Sequence, residues 1–305
     1  MLIFIHFPLE FAMKKFFLWP LSLLLLIVCA HAADNPPAQT PVKPLEQIAA
    51  EVERLLVKDK IHNRFDLLRR LQEQGLTWQP SLLAPNNLVN QFDEQSLRFY
   101  AGVKLVDALY AATFMQKQAV AESVQTIEAI NDKLNLRSYA DLSGSFFTTL
   151  KKAAAAPESV DIKALIDQLA ADYLKDIPPL MAHPKSAEYL IDSLYGATIQ
   201  TGYLMGQFYR SKLPGESQML KAVAKPDIGI TEWMQTLVSL FEAAGRADET
   251  LQVEGKPVKK MALIKEIIAR RTAGDKTPEA LRQARDSVYA QATAIRSAML
   301  TPPVK

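Results

Sequence analysis

The sequence predicts an all-α protein, a multi-helix bundle built around an internal pseudo-duplication. Three observations carry this. Residues Leu105 to Phe114 read L-V-D-A-L-Y-A-A-T-F and residues Leu190 to Ile199 read L-I-D-S-L-Y-G-A-T-I, so six of ten positions are identical at a spacing of 85. Elsewhere apolar residues recur at helical spacing between recognisable start and stop residues, and no segment shows convincing strand alternation. The chain of 305 residues also holds only 11 glycines, which suits helices joined without tight β turns.

Both copies of the repeat are too apolar for exposed helices and too long for strands. Each is therefore predicted to be a helix buried on most sides, at about 94–118 and 187–210. The two are expected to touch and to superpose about a pseudo-twofold axis.

The first 32 residues are read as a signal peptide and set apart from the fold. Met13-Lys14-Lys15 makes the basic start, Phe16 to Val28 the apolar run, and Ala30-His31-Ala32 the small-residue cleavage site. Cleavage after Ala32 places the protein in the periplasm or outside the cell. Lipid anchoring at Cys29 is the weaker expectation, because bulky Val28 stands where a lipid box needs a small residue. Residues 33–44 carry Pro36, Pro37, Pro41 and Pro44 without apolar period and are read as a disordered linker. Residues 45–305 are read as one helical domain, with repeat halves at about 45–157 and 158–245 and C-terminal helices over 246–305.

Within that domain, Leu45, Ile48, Val52, Leu55 and Leu56 mark a first amphipathic helix, and Phe65 to Gln74 a second that stops at Gly75. A loop over 76–90 should pack Trp78, Leu82 and Leu83 onto the helices. The first central helix should begin at Asp93 or Ser96 and reach Gln118. Helices follow over 119–134 and 139–155, the latter ended by Pro157. Ser159 or Asp161 then caps a helix through Leu165 and Leu169, and Pro184 with Ser186 opens the second central helix, which reaches Arg210. A short piece over 219–223 precedes helices at 231–244, 258–271 and 277–300, the last announced by Thr277-Pro278-Glu279.

Composition excludes several functions. With 35 basic and 33 acidic residues the formal net charge is +2, so the broad basic footprint of a nucleic-acid-binding protein is missing. The one cysteine, Cys29, lies in the signal, which removes disulfides, thiolate metal sites and a Cys nucleophile from the mature chain. His62 and His183 are the histidines left, and no helix carries the Glu-x-x-His spacing of a di-metal bundle. No metal, no cofactor, no catalytic residue and no transmembrane helix in the mature chain are predicted.

The candidate site residues come from the repeat. Asp107 with Tyr110, and Asp192 with Tyr195, lie three apart on one helical face. Tyr100 and Tyr189 precede them, and Lys104 supplies an ammonium in the first copy alone. A carboxylate among apolar residues must be paired or hydrogen-bonded. One reading has Asp107 and Asp192 cross-bracing the central helices. The other has Asp107, Tyr110, Asp192, Tyr195, Tyr100 and Tyr189 converging on a ligand between those helices. The first is preferred, since buried polar networks in helical cores are more often structural.

Two further features come from spacing. Gly196, Gly202 and Gly206 cost helix propensity, which close approach of a neighbouring helix would offset. Val258 to Arg271 has the pattern of a basic amphipathic helix, with Lys259, Lys260, Lys265, Arg270 and Arg271 against Met261, Ile264, Ile267 and Ile268. That pattern allows peripheral membrane contact, but a packed helix with a solvated face is the favoured reading.

Gly102, Val103, Asp107, Tyr110, Ala111, Thr113, Phe114, Gln116 and Gln118 spell G-V-x-x-x-D-x-x-Y-A-x-T-F-x-Q-x-Q. This resembles the central-helix pattern of an uncharacterised group of exported, often lipid-anchored, all-helical bacterial proteins. The resemblance covers roughly Leu67 to Arg210 and departs at Lys104 and Leu105, where the group has Tyr and Gly. It implies fold and export and carries no activity. The sequence thus predicts an exported, non-enzymatic helical binding or scaffold protein whose partner is a protein or a small molecule. The alternatives are a periplasmic carrier of a small ligand held between the central helices and, behind it, a carboxylate-based hydrolase.

Overall fold

The Asp93 carboxylate accepts the Ser96 amide at 2.8 Å and caps the first central helix, α1 (Glu94–Thr113). The computed structural model describes residues 77–136, 145–155, 183–210, 230–272 and 278–302, with Gln72 and scattered positions over 161–175. The expected signal peptide and linker, the two helices expected before Gly75 and the expected piece at 219–223 lie outside the described residues. Among the described residues the fold is an all-α bundle with one small hairpin.

α1 buries residues on every side, from Leu97 through Thr113, as its lack of a polar face requires. It ends five residues before the expected Gln118. Phe114 packs against Trp78 and Tyr110, Met115 takes a φ of 55°, and the amides of Phe114, Met115 and Gln116 turn back onto carbonyls of Tyr110 to Ala112. A new helix, α2 (Lys117–Lys133), then buries Val120, Val124, Ile127 and Ile130 against α1.

α3 (Ser145–Ala155) packs on α2. Asp161 accepts the Ala164 amide at 3.2 Å, ahead of buried Leu165 and Leu169, as the expected cap would. The second central helix, α4 (Pro184–Arg210), has Pro at its first position and runs about 40 Å. α5 (Ile230–Ala243) follows. The strands β1 (Thr250–Val253) and β2 (Lys256–Lys259) then pair antiparallel, with Val253 opposite Lys256, where no strand was expected. Glu254 and Gly255 make the turn with φ of 51° and 75°, the positive pair that a two-residue hairpin loop needs.

Val258 accordingly sits in β2, and α6 (Lys260–Thr272) begins two residues later than expected. Its apolar stripe is used inside the molecule. Met261 and Ile264 are buried with Leu237 and Phe241 of α5, and Lys260 is buried instead of facing outward. α7 (Pro278–Met299) closes the bundle along α4.

The two central helices touch. Arg98 bonds Asp192, Gly102 meets Ser193 and Ala197, Asp107 bonds Gln200, and Tyr110 meets Phe208. The partners climb together, so α1 and α4 run parallel. At their crossing the backbones are in contact. A methyl group on Gly102 would fall 1.8 Å from the Ser193 carbonyl oxygen, and one on Gly196 would fall 2.1 Å from that of Phe99. These two glycines are not equivalent in the repeat, since 85 positions separate Gly102 from Ala187 and Ala111 from Gly196.

The crossing therefore sets facing residues about 94 positions apart, not 85. A twofold axis along the pair would put Asp107 level with Asp192. Instead the two carboxylates are displaced by nine residues, on the order of 13 Å along the helices.

Candidate functional site

Asp107 is buried completely, and all of its neighbours in bonding reach are donors. Its Oδ2 accepts from the Ala84 amide at 2.9 Å and from Lys104 Nζ at 2.9 Å, and its Oδ1 accepts from Gln200 Nε2 at 2.8 Å. Complete burial raises the carboxyl above its ordinary value, while the Lys104 ammonium and the Ala84 amide pull it back down. With donors alone around it, the site accommodates the ionised form.

The partners of this cluster belong mostly to one strap of main chain, residues 79–92. Lys104 Nζ donates to the Ala84 carbonyl at 3.1 Å, and the Tyr100 hydroxyl donates to that of Pro85. The Gln79 amide donates to the Tyr110 hydroxyl at 3.0 Å. Gln200 Nε2 and Arg296 Nη2 both donate to the Leu82 carbonyl, at 3.3 and 3.2 Å, and Lys133 Nζ reaches that of Val89 at 2.7 Å. The strap contains Pro80 and Pro85 and a single 3-10 turn (Pro80–Leu82), so most of its polar backbone groups need side-chain partners. Burial raises both the Tyr100 and Tyr110 hydroxyls, which keeps them neutral and able to hydrogen-bond.

Asp192, also fully buried, serves a different cluster. Its Oδ2 accepts from Arg98 Nε of α1 at 2.8 Å and its Oδ1 from Arg246 Nη2, just past α5, at 2.6 Å. Arg246 reaches on to Glu249 at 2.6 and 2.9 Å, and Glu249 accepts from Lys260 Nζ at 2.5 Å. Lys260 lies 4.6 Å from the Phe99 ring centroid, and the Tyr195 hydroxyl donates to the Lys260 carbonyl at 3.1 Å. Tyr195 itself is buried between Phe99 and Phe241, and Tyr189 is buried nearby on α4.

Within the second cluster Arg246 and Glu249 favour each other's charged form. Burial works against the Arg246 guanidinium, but Glu249 and Asp192 hold its affinity for the proton above the ordinary value. Burial likewise works against the Glu249 carboxylate, yet hydrogen bonds from Arg246 and Lys260 outweigh it and hold that group below its usual 4.5. A depressed carboxyl contributes stability that is present above the unfolded value and lost as pH falls through the folded one. Glu249→Gln should therefore cost about 2 kcal/mol at neutral pH and flatten the acid limb of the stability curve below 4.5. Urea melts at pH 7 and pH 3.5 check this; equal losses at both would contradict it.

The structure thus brings Tyr100, Asp107 and Tyr110 together around the strap, and Asp192 and Tyr195 together around the arginines. It does not bring the two sets to one another. Sequence reasoning missed Arg98, Gln200, Arg246, Glu249, Lys260 and Arg296. The one signal available was Gln200, an uncharged polar residue inside an apolar helical run. Among the described residues, no three His, Cys, Asp or Glu side chains are placed to hold a metal, and no helix is long and apolar enough to cross a membrane. Compared with protein families, curated proteins and solved structures, the chain matches none.

Proposed function

We propose that the chain is an exported, non-enzymatic helical protein that acts by binding or scaffolding. The observation that supports this is the full engagement of both repeat carboxylates. Asp107 and Asp192 each meet fixed protein donors on both oxygens, so neither is free to act as a general acid, a base or a nucleophile. Backbone contact of α1 and α4 at Gly102 and Gly196 likewise disfavours a ligand held at their crossing.

Native mass spectrometry of the protein taken from its own cells tests this reading. A co-purifying protein is the expected result, whereas a reproducible stoichiometric small-molecule mass would favour a carrier. Export is tested by sequencing the N-terminus of the same material. It should begin at Ala33, and a lipid-modified Cys29 would replace the secreted form with an anchored one.

A further inference from the structure

The enclosed cations of this fold divide into two kinds. Arg98, Lys104, Arg246 and Lys260 each meet a carboxylate oxygen at 2.5 to 2.9 Å. Among the described residues Arg296 of α7 meets none at such a distance. Its Nε donates to Gln200 Oε1 at 2.5 Å and its Nη2 to the Leu82 carbonyl at 3.2 Å, both neutral acceptors. The guanidinium lies 4.0 Å from the centroid of the Tyr203 ring. Among the described residues Nη1 has no hydrogen-bond partner, and the Arg296 side chain is half-buried.

The orientation of this guanidinium is fixed from the core outward. Asp107 has only acceptors to offer, so it draws the amide nitrogen of Gln200 toward itself at 2.8 Å. That turns Gln200 Oε1 toward Arg296, and the Leu82 carbonyl and the Tyr203 ring set the plane of the fork. An enclosed cation whose nearest carboxylate, Asp107, stands behind Gln200 is only partly compensated. It has also given up its rotamer freedom before any ligand arrives, which is the condition for a pre-organised receptor. The free end of a guanidinium fork matches the two oxygens of a carboxylate.

We propose that the Nη edge of Arg296, resting on Tyr203, is a binding site for the carboxylate of a small organic acid. The site lies outside the Asp192 cluster and uses Asp107 only to orient Gln200. It stands apart from the binding or scaffold reading, because a protein partner would be detected whether or not this site takes a ligand.

The test is calorimetric titration of the protein, as its cells produce it, with sodium succinate, sodium phosphate and sodium chloride at matched ionic strength. Saturable succinate binding at about millimolar strength or tighter is expected. Arg296→Lys, which keeps the charge and loses the fork, should weaken it by about tenfold or more, and Tyr203→Leu should weaken it as well. Chloride competing as well as succinate, or Arg296→Lys binding unchanged, would overturn the site. Tighter binding of phosphate than of succinate would overturn the carboxylate assignment. Should the variants fail to fold, arginine side-chain nitrogen spectra of the unaltered protein decide: the Arg296 signals must shift on succinate addition, and unmoved signals reject the proposal.

Discussion

Gly102→Ala is expected to lower stability by about 3 kcal/mol or more, above the usual range for one added methyl group in a core. The new carbon would lie 1.8 Å from the Ser193 carbonyl oxygen and 2.8 Å from the Ala197 amide nitrogen. Both are backbone atoms of α4, so no side chain can swing aside and the helices themselves must part. Parting them strains the bonds on either side of the crossing, Arg98 to Asp192 and Asp107 to Gln200. Gly196→Ala, 2.1 Å from the Phe99 carbonyl oxygen, should behave alike.

Gly202→Ala is the control. Its methyl group meets only Ala292 Cβ at 3.4 Å, an ordinary contact, and alanine recovers up to about 1 kcal/mol of helix propensity. Thermal melts followed by helical circular dichroism should place Gly102→Ala roughly 10 °C below the parent and Gly202→Ala level with it or above. A Gly102→Ala melt within about 2 °C of the parent would refute the backbone crossing.

What could be read in the sequence was what depends on neighbours in the chain. The starts of α1 and α7 follow from Asp93 and from Pro278-Glu279, and that of α4 from Pro184, because capping and φ preference are local. The end of α1 was misplaced because its stop is tertiary: Phe114 leaves the helix to pack on Trp78 and Tyr110. The hairpin was missed because each strand has four residues, too few for alternation to register, and one contains Pro257. Glu254-Gly255 between two short runs was the signal present, though weaker than the Asn-Gly or Asp-Gly that such turns favour.

At the candidate site the same division holds. That Asp107 and Asp192 are enclosed was legible, since each sits in an apolar run. Of their donors only Lys104, one turn from Asp107, was legible, because Arg98, Gln200 and Arg246 stand 54 to 94 positions away along the chain. The repeat suggested equivalent surroundings for the two acids, and the structure gives them unlike ones. The reason is the crossing. Gly102 and Gly196 decide where α1 and α4 can approach, and they are placed without regard to the repeat. A repeated local pattern thus set two helices of similar character while the contacts between them followed a different register.

Asp107→Asn is expected to cost about 3 kcal/mol, although the substitution preserves shape. If tyrosine hydroxyls were its partners, as the sequence allows, asparagine would cost little. The partners are instead an ammonium, a main-chain amide and a side-chain amide nitrogen, all donors. Asparagine offers one acceptor oxygen where the carboxylate offered two, and turns its own donors toward one of these groups. It also leaves the Lys104 ammonium, 1 % exposed, without a counter-charge. Asp107→Leu should cost at least as much. Pairing it with Lys104→Met removes both charges and should recover most of the loss, leaving about 1 to 2 kcal/mol for the Ala84 amide and carbonyl, which lose Asp107 and Lys104 as partners. Denaturant melts of the two single variants and the double close the cycle. Additive losses would mean that the pair is not coupled. A clear stabilisation by Asp107→Asn would overturn the brace, since strained carboxylates that relax on neutralisation belong to binding sites.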